Sequence, residues 1–180
     1  MKKIVFATLM CVAAMSAKAQ VLTSETVNHI YEVVSNQTNS DFVYNAEKKG
    51  NDITTMYVYK ICKDHGMMSL KPHVKYAYSY AADGTLTSRV VSRWIESQND
   101  WICTARYDFS LADGKYCAAY SHYNHAASRF DEPVEKMVYS LMSDGIVNLV
   151  SYYLRNHPSS HFELVSETVV NGLPILFAEK

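Results

Sequence analysis

Glycine and proline are scarce in this 180-residue chain, at six and four, which excludes collagen-like and low-complexity polymers. Cysteine is scarce too, at four, too few for a disulfide framework. Neither charge sign dominates. With 17 Lys+Arg against 18 Asp+Glu the net is −1, without the basic excess of a bulk nucleic-acid binder. No apolar stretch reaches the roughly twenty residues of a helical membrane span. Motifs are missing as well. Every glycine is isolated, so there is neither a phosphate-cradling loop nor a Gly-x-Ser-x-Gly elbow, and no Cys-x-x-Cys or His-Glu-x-x-His occurs. What the chain does have is 48% hydrophobic residues and 14 tyrosines, enough to bury the core of one domain.

The N-terminus reads as a targeting segment. Lys2 and Lys3 precede a largely apolar run from Ile4 to Ala14, and Ala17-Lys18-Ala19 offers small side chains at a cleavage site. This is the pattern of a secretory signal peptide over residues 1–19, cut after Ala19. The product is expected to be exported, periplasmic or secreted, with no transmembrane span in the mature chain. Losing Lys2, Lys3 and Lys18 leaves 14 Lys+Arg against 18 Asp+Glu, a net of −4. Three cysteines remain, Cys62, Cys103 and Cys117, so at least one thiol stays free. Any bridge would have to use Cys62, because Cys103 and Cys117 are out of register in their own hairpin.

Residues 20–40 are expected to form a helix and loop, and 41–180 an antiparallel β domain. Val27, Ile30, Tyr31 and Val34 keep helical spacing behind a Thr23 or Ser24 cap. All six glycines lie in turn-like contexts, and Gly84, Gly114, Gly145 and Gly172 recur about every thirty residues, the length of two strands and their turns. Val134 to Leu141 has helical spacing as well, but the β-branched stretch Ile146 to Val150 favours a strand pair there. The expected fold is mainly β: a single antiparallel meander of hairpins forming a twisted sheet or open barrel, with one short N-terminal helix.

Register follows from alternation. A three-residue Ala82-Asp83-Gly84 loop pairs Ala81 with Thr85, which sets Tyr80 opposite Leu86 and Tyr76 opposite Val90. Trp94 then meets Trp101, and the odd positions Trp101, Cys103, Ala105, Tyr107, Phe109 and Leu111 continue the same buried face. The next loop is either three residues, exposing Tyr116 and Tyr120, or two. On the opposite face this register places Arg89 across from Arg106, beside Lys75, Arg93 and Thr104. Like charges facing each other on a sheet cost stability unless an anion lies between them. Arg89, Arg106, Arg93, Tyr116 and Tyr120 are therefore the candidate ligand-binding residues, suited to a glycan, a carboxylate or a peptide.

The histidines give little support for catalysis. His122-x-x-His125 on a strand puts its rings on opposite faces, and Pro158 breaks the helical spacing of His157 and His161. No metal, cofactor or catalytic residue is assigned. The leading function is a non-enzymatic exported module that binds an extracytoplasmic glycan, peptide or protein through a sheet face, with no nucleic-acid partner. The alternative is a small hydrolase whose cleft gathers two or more of His65, His73, His122, His125 and His161. An unprotected edge strand would further favour a homodimer.

The run Tyr78-Ser-Tyr-Ala-Ala-Asp-Gly-Thr-Leu-Thr-Ser-Arg89, with Arg93-Trp94, Asp100-Trp101 and Arg106-Tyr107-Asp108-Phe109, resembles a family of small exported proteins of Gram-negative gut anaerobes. That family is classed as a domain of unknown function. The resemblance spans residues 40 to 155 and implies no activity and no site residues.

Overall fold

The fold is seen in a computed structural model, and the structure describes residues 22–38, 40–64, 66–141 and 147–169. A helix α1 (Ser24–Ser35) is followed by β1 (Phe42–Lys49), β2 (Asp52–Asp64), β3 (Met67–Tyr80), β4 (Leu86–Ile95), β5 (Asp100–Ala112), β6 (Lys115–Asn124), β7 (Arg129–Phe130), β8 (Glu135–Leu141), β9 (Val147–Leu154) and β10 (Glu163–Val169). These strands form one open antiparallel sheet in meander order, with the short β7 paired to β6 off the main path. The turns at Ser143-Asp144-Gly145 and Asn171-Gly172, and the leader over residues 1–19, lie outside the described residues.

Helix α1 starts where the chemistry allows. Thr23 caps it, its side chain accepting from the Thr26 amide while Thr26 reciprocates to the Thr23 amide. Val27, Ile30 and Val34 are buried, and Val27 joins Ile53, Met56, Val58, Val74 and Leu86 in one core on a single face of the sheet. The segment leading into α1 is stitched to the β3–β4 turn. The Leu86 amide donates to the Leu22 carbonyl and the Ser24 amide to the Gly84 carbonyl. Gly84 takes φ +81 there, a conformation that L side chains rarely adopt.

Bulges set the faces. Extra residues shift the ladders at Thr54 in β2, His73 in β3, Thr87 in β4 and Thr104 in β5. At three of these the extra residue is a threonine whose hydroxyl donates across the ladder: Thr54 to the Glu47 carbonyl, Thr87 to Ser79 and Thr104 to Val91. The side chain takes up a carbonyl just where the backbone pairing slips. Each bulge bends its strand and raises the local twist.

Two bulges correct the register read from alternation. Tyr80 does pair with Leu86, and Trp94 with Trp101. The Thr87 bulge, however, puts Tyr76 opposite Val91 rather than Val90, and Arg89 opposite Tyr78. The Thr104 bulge pairs Arg89 with Tyr107 and leaves Val90 opposite Arg106. Trp101 and Cys103 therefore stand on the opposite face from Ala105, Tyr107 and Phe109. After Leu111 the turn has two residues, Asp113 at φ +53 and Gly114 at φ +69, pairing Ala112 with Lys115. That is the mirror-image turn favoured in tight hairpins. It sends Tyr116, Ala118 and Tyr120 to the core side.

Candidate functional site

The five residues singled out by alternation do not share a face. Arg89 is buried, 3% exposed, on the inner face that carries the core. Its guanidinium carbon is 4.4 Å from the Tyr107 ring centroid and 5.3 Å from that of Tyr76. Tyr116 is buried beside it, its ring stacked on Phe109 at 5.9 Å and 6.3 Å from Tyr139. Burial pushes the Tyr78 phenol up to about 12, with Arg89 pulling the other way, and raises Tyr116 and Tyr139 as well. Arg89 and Tyr116 thus belong to the packed core.

Arg93 and Tyr120 also point inward, nearer the other end of the strands, where the inner face is half-buried. Tyr120 lies 5.0 Å from Tyr107 ring to ring and 3.3 Å from His122 Nδ1. Desolvation lifts its phenol to about 12, with Tyr107 and Glu135 adding to the rise and Arg93 opposing it. Glu135 accepts a 2.9 Å bond from the Tyr152 hydroxyl. Arg106 alone is outward. Its Nε sits 2.8 Å from Asp108 Oδ2, and its guanidinium 4.6 Å from the Phe130 ring centroid.

His65 lies outside the described residues, and the other histidines proposed for a cleft form no cluster with one another. His73 stacks on Phe42, while His122 meets Tyr120 and His125 meets Tyr123 edge-on. Among the described residues no group of three His, Cys, Asp or Glu could hold a metal. Cys62, Cys103 and Cys117 are free thiols, and burial raises the Cys103 and Cys117 thiols, keeping them protonated.

The outer face carries a cluster that alternation had assigned to the core. Both tryptophans of the chain are there. Trp94 meets Trp101 edge-on at 5.3 Å, and Trp101 lies 6.0 Å from Tyr57. Tyr57 stacks on Tyr59 at 6.5 Å, and Lys75 Nζ stands 5.6 Å from the Trp101 ring. All five side chains are half-buried. The Tyr57 hydroxyl donates to Glu47 Oε1 at 3.0 Å; burial is the main cause raising that phenol, with Glu47 second. Helix α1 packs on the other side, so four rings from β2, β4 and β5 rim one patch with Lys75 and Glu47 beside it. Thr104 sits on the polar side of the alternation and leaves that pattern intact, so the signal it offers is a threonine hydroxyl able to bond a ladder carbonyl where the backbone pairing slips.

Comparison with known proteins gives a family and a fold. The sequence matches a family described as of unknown function, DUF3836, over residues 1–141. Among curated proteins no sequence matches it. A crystal structure of a protein with unknown function from Bacteroides fragilis is similar at 22% identity and TM-score 0.61, covering 72% of this chain and 91% of that one. A DUF3836 protein from Parabacteroides distasonis is similar at 18% identity and TM-score 0.49, covering 57% and 92%. Another from Bacteroides vulgatus is similar at 19% identity and TM-score 0.45, covering 51% and 89%.

Proposed function

The chain belongs to the DUF3836 family of unknown function, and from that premise we propose that it is a non-enzymatic binding module whose outer sheet face takes a saccharide chain. The observation that carries this reading is the cluster of Trp94, Trp101, Tyr57 and Tyr59 on a face that α1 leaves uncovered. Aromatic faces carry negative charge density and attract the weakly positive C–H edges of a sugar ring. Half-exposed rings bring large contact area with little side-chain entropy to lose. Around them Lys75 and Glu47 supply donors and acceptors for hydroxyls. A leader of the kind read in residues 1–19 would deliver the module outside the cytoplasm, where such chains occur.

Because both tryptophans lie in the cluster, their fluorescence reports the site directly. Titration with soluble linear gluco- and manno-oligosaccharides should give a saturable change in tryptophan emission. In a Tyr57→Ala/Tyr59→Ala variant, which keeps both tryptophans, the change should weaken at least about tenfold in affinity, as loss of two stacked rings implies. Emission that stays flat across both series would remove the saccharide reading.

A further inference from the structure

The β2–β3 hairpin runs past both of its neighbours. The first residue of β1 pairs with Lys60, and the last described β4 partner of β3 is Arg93 opposite Val74. From Ile61 to Leu70 the two strands pair with each other: Ile61 with Leu70, Cys62 with Ser69, Lys63 with Met68 and Asp64 with Met67. At about 3.3 Å per residue, the arm extends some 13 Å beyond the Lys60–Lys71 pair. Two strands alone are marginal in water and gain from a surface to rest on.

The tip of this arm is apolar and exposed. Met67 is 74% exposed, Met68 73% and Leu70 55%. Successive strand residues point to opposite sides, so Met67 and Met68 leave the arm in opposite directions. A protein groove would cover one side, whereas a lipid phase wets both.

Charge supplies the second observation. Lys60, Lys63 and Lys71 lie on the arm against one carboxylate, Asp64, in a chain of net −1. Lys60 and Lys71 are exposed and directly opposite each other in the ladder, a like-charge pairing that favours an anion nearby. Lys71 is steadied by Glu96 at 3.0 Å, and that contact is one of the causes raising its ammonium. Lysine stems run along apolar surface while their heads reach for phosphate.

We propose that the β2–β3 arm docks the protein on an anionic phospholipid surface, with Met67, Met68 and Leu70 entering the boundary between headgroups and acyl chains. Interfacial elements bury about 5–10 Å at that boundary. A tip lowered to Leu70 would leave Lys60 and Lys71 level with the phosphates. The proposal uses residues outside the Trp94–Trp101 cluster and stands or falls separately from saccharide binding.

The test is co-sedimentation of the full chain with vesicles of phosphatidylcholine, with and without about 30% phosphatidylglycerol. Arm variants are compared in the same chain, so any contribution from residues 1–19 is common to all. The unaltered chain should bind the anionic vesicles and leave the zwitterionic ones. Met67→Glu/Met68→Glu should abolish that binding, and Lys60→Ala/Lys63→Ala should weaken it roughly thirtyfold, at about a fivefold loss per lysine near the surface. Met67→Leu/Met68→Leu should retain it, and Trp94→Ala/Trp101→Ala should leave it unchanged. The altered arm positions are exposed and the two tryptophans half-buried, and circular dichroism should show that each variant keeps its sheet. Absence of binding to the anionic vesicles, equal binding to both vesicle types, or binding unmoved by the two arm variants overturns the proposal. Free inorganic phosphate that competes as well as the vesicles would also overturn it, by making the site an ion site and not a membrane one.

Discussion

Arg89 on β4 and Arg106 on β5 stand on facing strands, and each guanidinium lies about 4.5 Å from an aromatic ring. Arg89 is enclosed among Tyr76, Tyr107 and the core at 3% exposure. Arg106 lies on the outer face with its side chain 36% exposed, beside an Asp108 that is 41% exposed. The contrast separates two uses of one residue pair. Inside, a cation over tyrosine faces fills volume that an apolar residue would otherwise occupy, and it must keep its shape. Outside, the same contact is screened by water and holds a surface side chain in place.

The largest test of this contrast is Arg89→Ala. Removing a buried long side chain leaves a cavity and strips the Tyr76 and Tyr107 faces of their cation, at a cost of about 3 kcal/mol. In a domain of this size that lowers the thermal midpoint by about 10 °C. A shift under about 2 °C would mean that the tyrosine cage does not depend on the arginine.

Alkali should separate the faces next. Tyr78 holds its proton up to about 12, and burial raises Tyr80, Tyr116 and Tyr139 above the ordinary value of 10.0 as well. Below pH 10 the tyrosines are protonated in both the folded and unfolded states, so this contribution to stability is complete. As pH climbs above 10 the unfolded chain loses those protons first, the folded chain binds more of them, and stability falls. Urea midpoints should therefore be flat from pH 8 to about 9.5 and drop steeply beyond, with tyrosinate absorbance rising as the sheet unfolds. A gradual titration with the sheet intact would show the inner rings to be solvated.

The strands and their order were legible in the sequence because each hairpin carries its own turn chemistry, as at Ala82-Asp83-Gly84. The helix was legible because Val27, Ile30 and Val34 repeat at 3.6 residues. The faces were not. Alternation propagates from a turn only as far as the first extra residue, and Thr87 and Thr104 each invert it. Between these two bulges Arg89 takes an inner position that parity assigns to the outside. Between the same bulges Trp94 and Trp101 fall on the outer face, while Tyr107 and Phe109, past Thr104, keep the inner one. A large aromatic residue gives no warning, since Tyr and Trp suit both a core and a half-exposed face. Threonine does give one, because its hydroxyl can stand in for a ladder amide.

Thr104→Val sharpens that point with a smaller effect. The swap keeps the β-branched shape and removes the hydroxyl that donates to the Val91 carbonyl at 3.1 Å. A half-buried hydrogen bond of this kind contributes about 1 kcal/mol, so the urea midpoint should fall modestly. The tryptophan emission should also shift, because the bulge holds Trp101 on its side. A variant as stable as the parent, with unchanged emission, would assign the bulge to backbone twist alone.

Arg106→Ala is expected to do least. The Asp108 contact is between groups exposed by a third or more, where solvent screening leaves an ion pair at under about 1 kcal/mol. The Phe130 contact adds about 0.5 kcal/mol at an exposed site. The thermal midpoint should therefore move by no more than about 5 °C, against some 10 °C for Arg89→Ala. Raising salt toward 1 M should shrink even that difference, while the Arg89→Ala deficit persists because water and ions do not reach the tyrosine cage. Deficits of equal size in the two variants would erase the distinction between the faces. The sheet would then be a layer buried on both sides, and a partner would have to be sought for its outer surface.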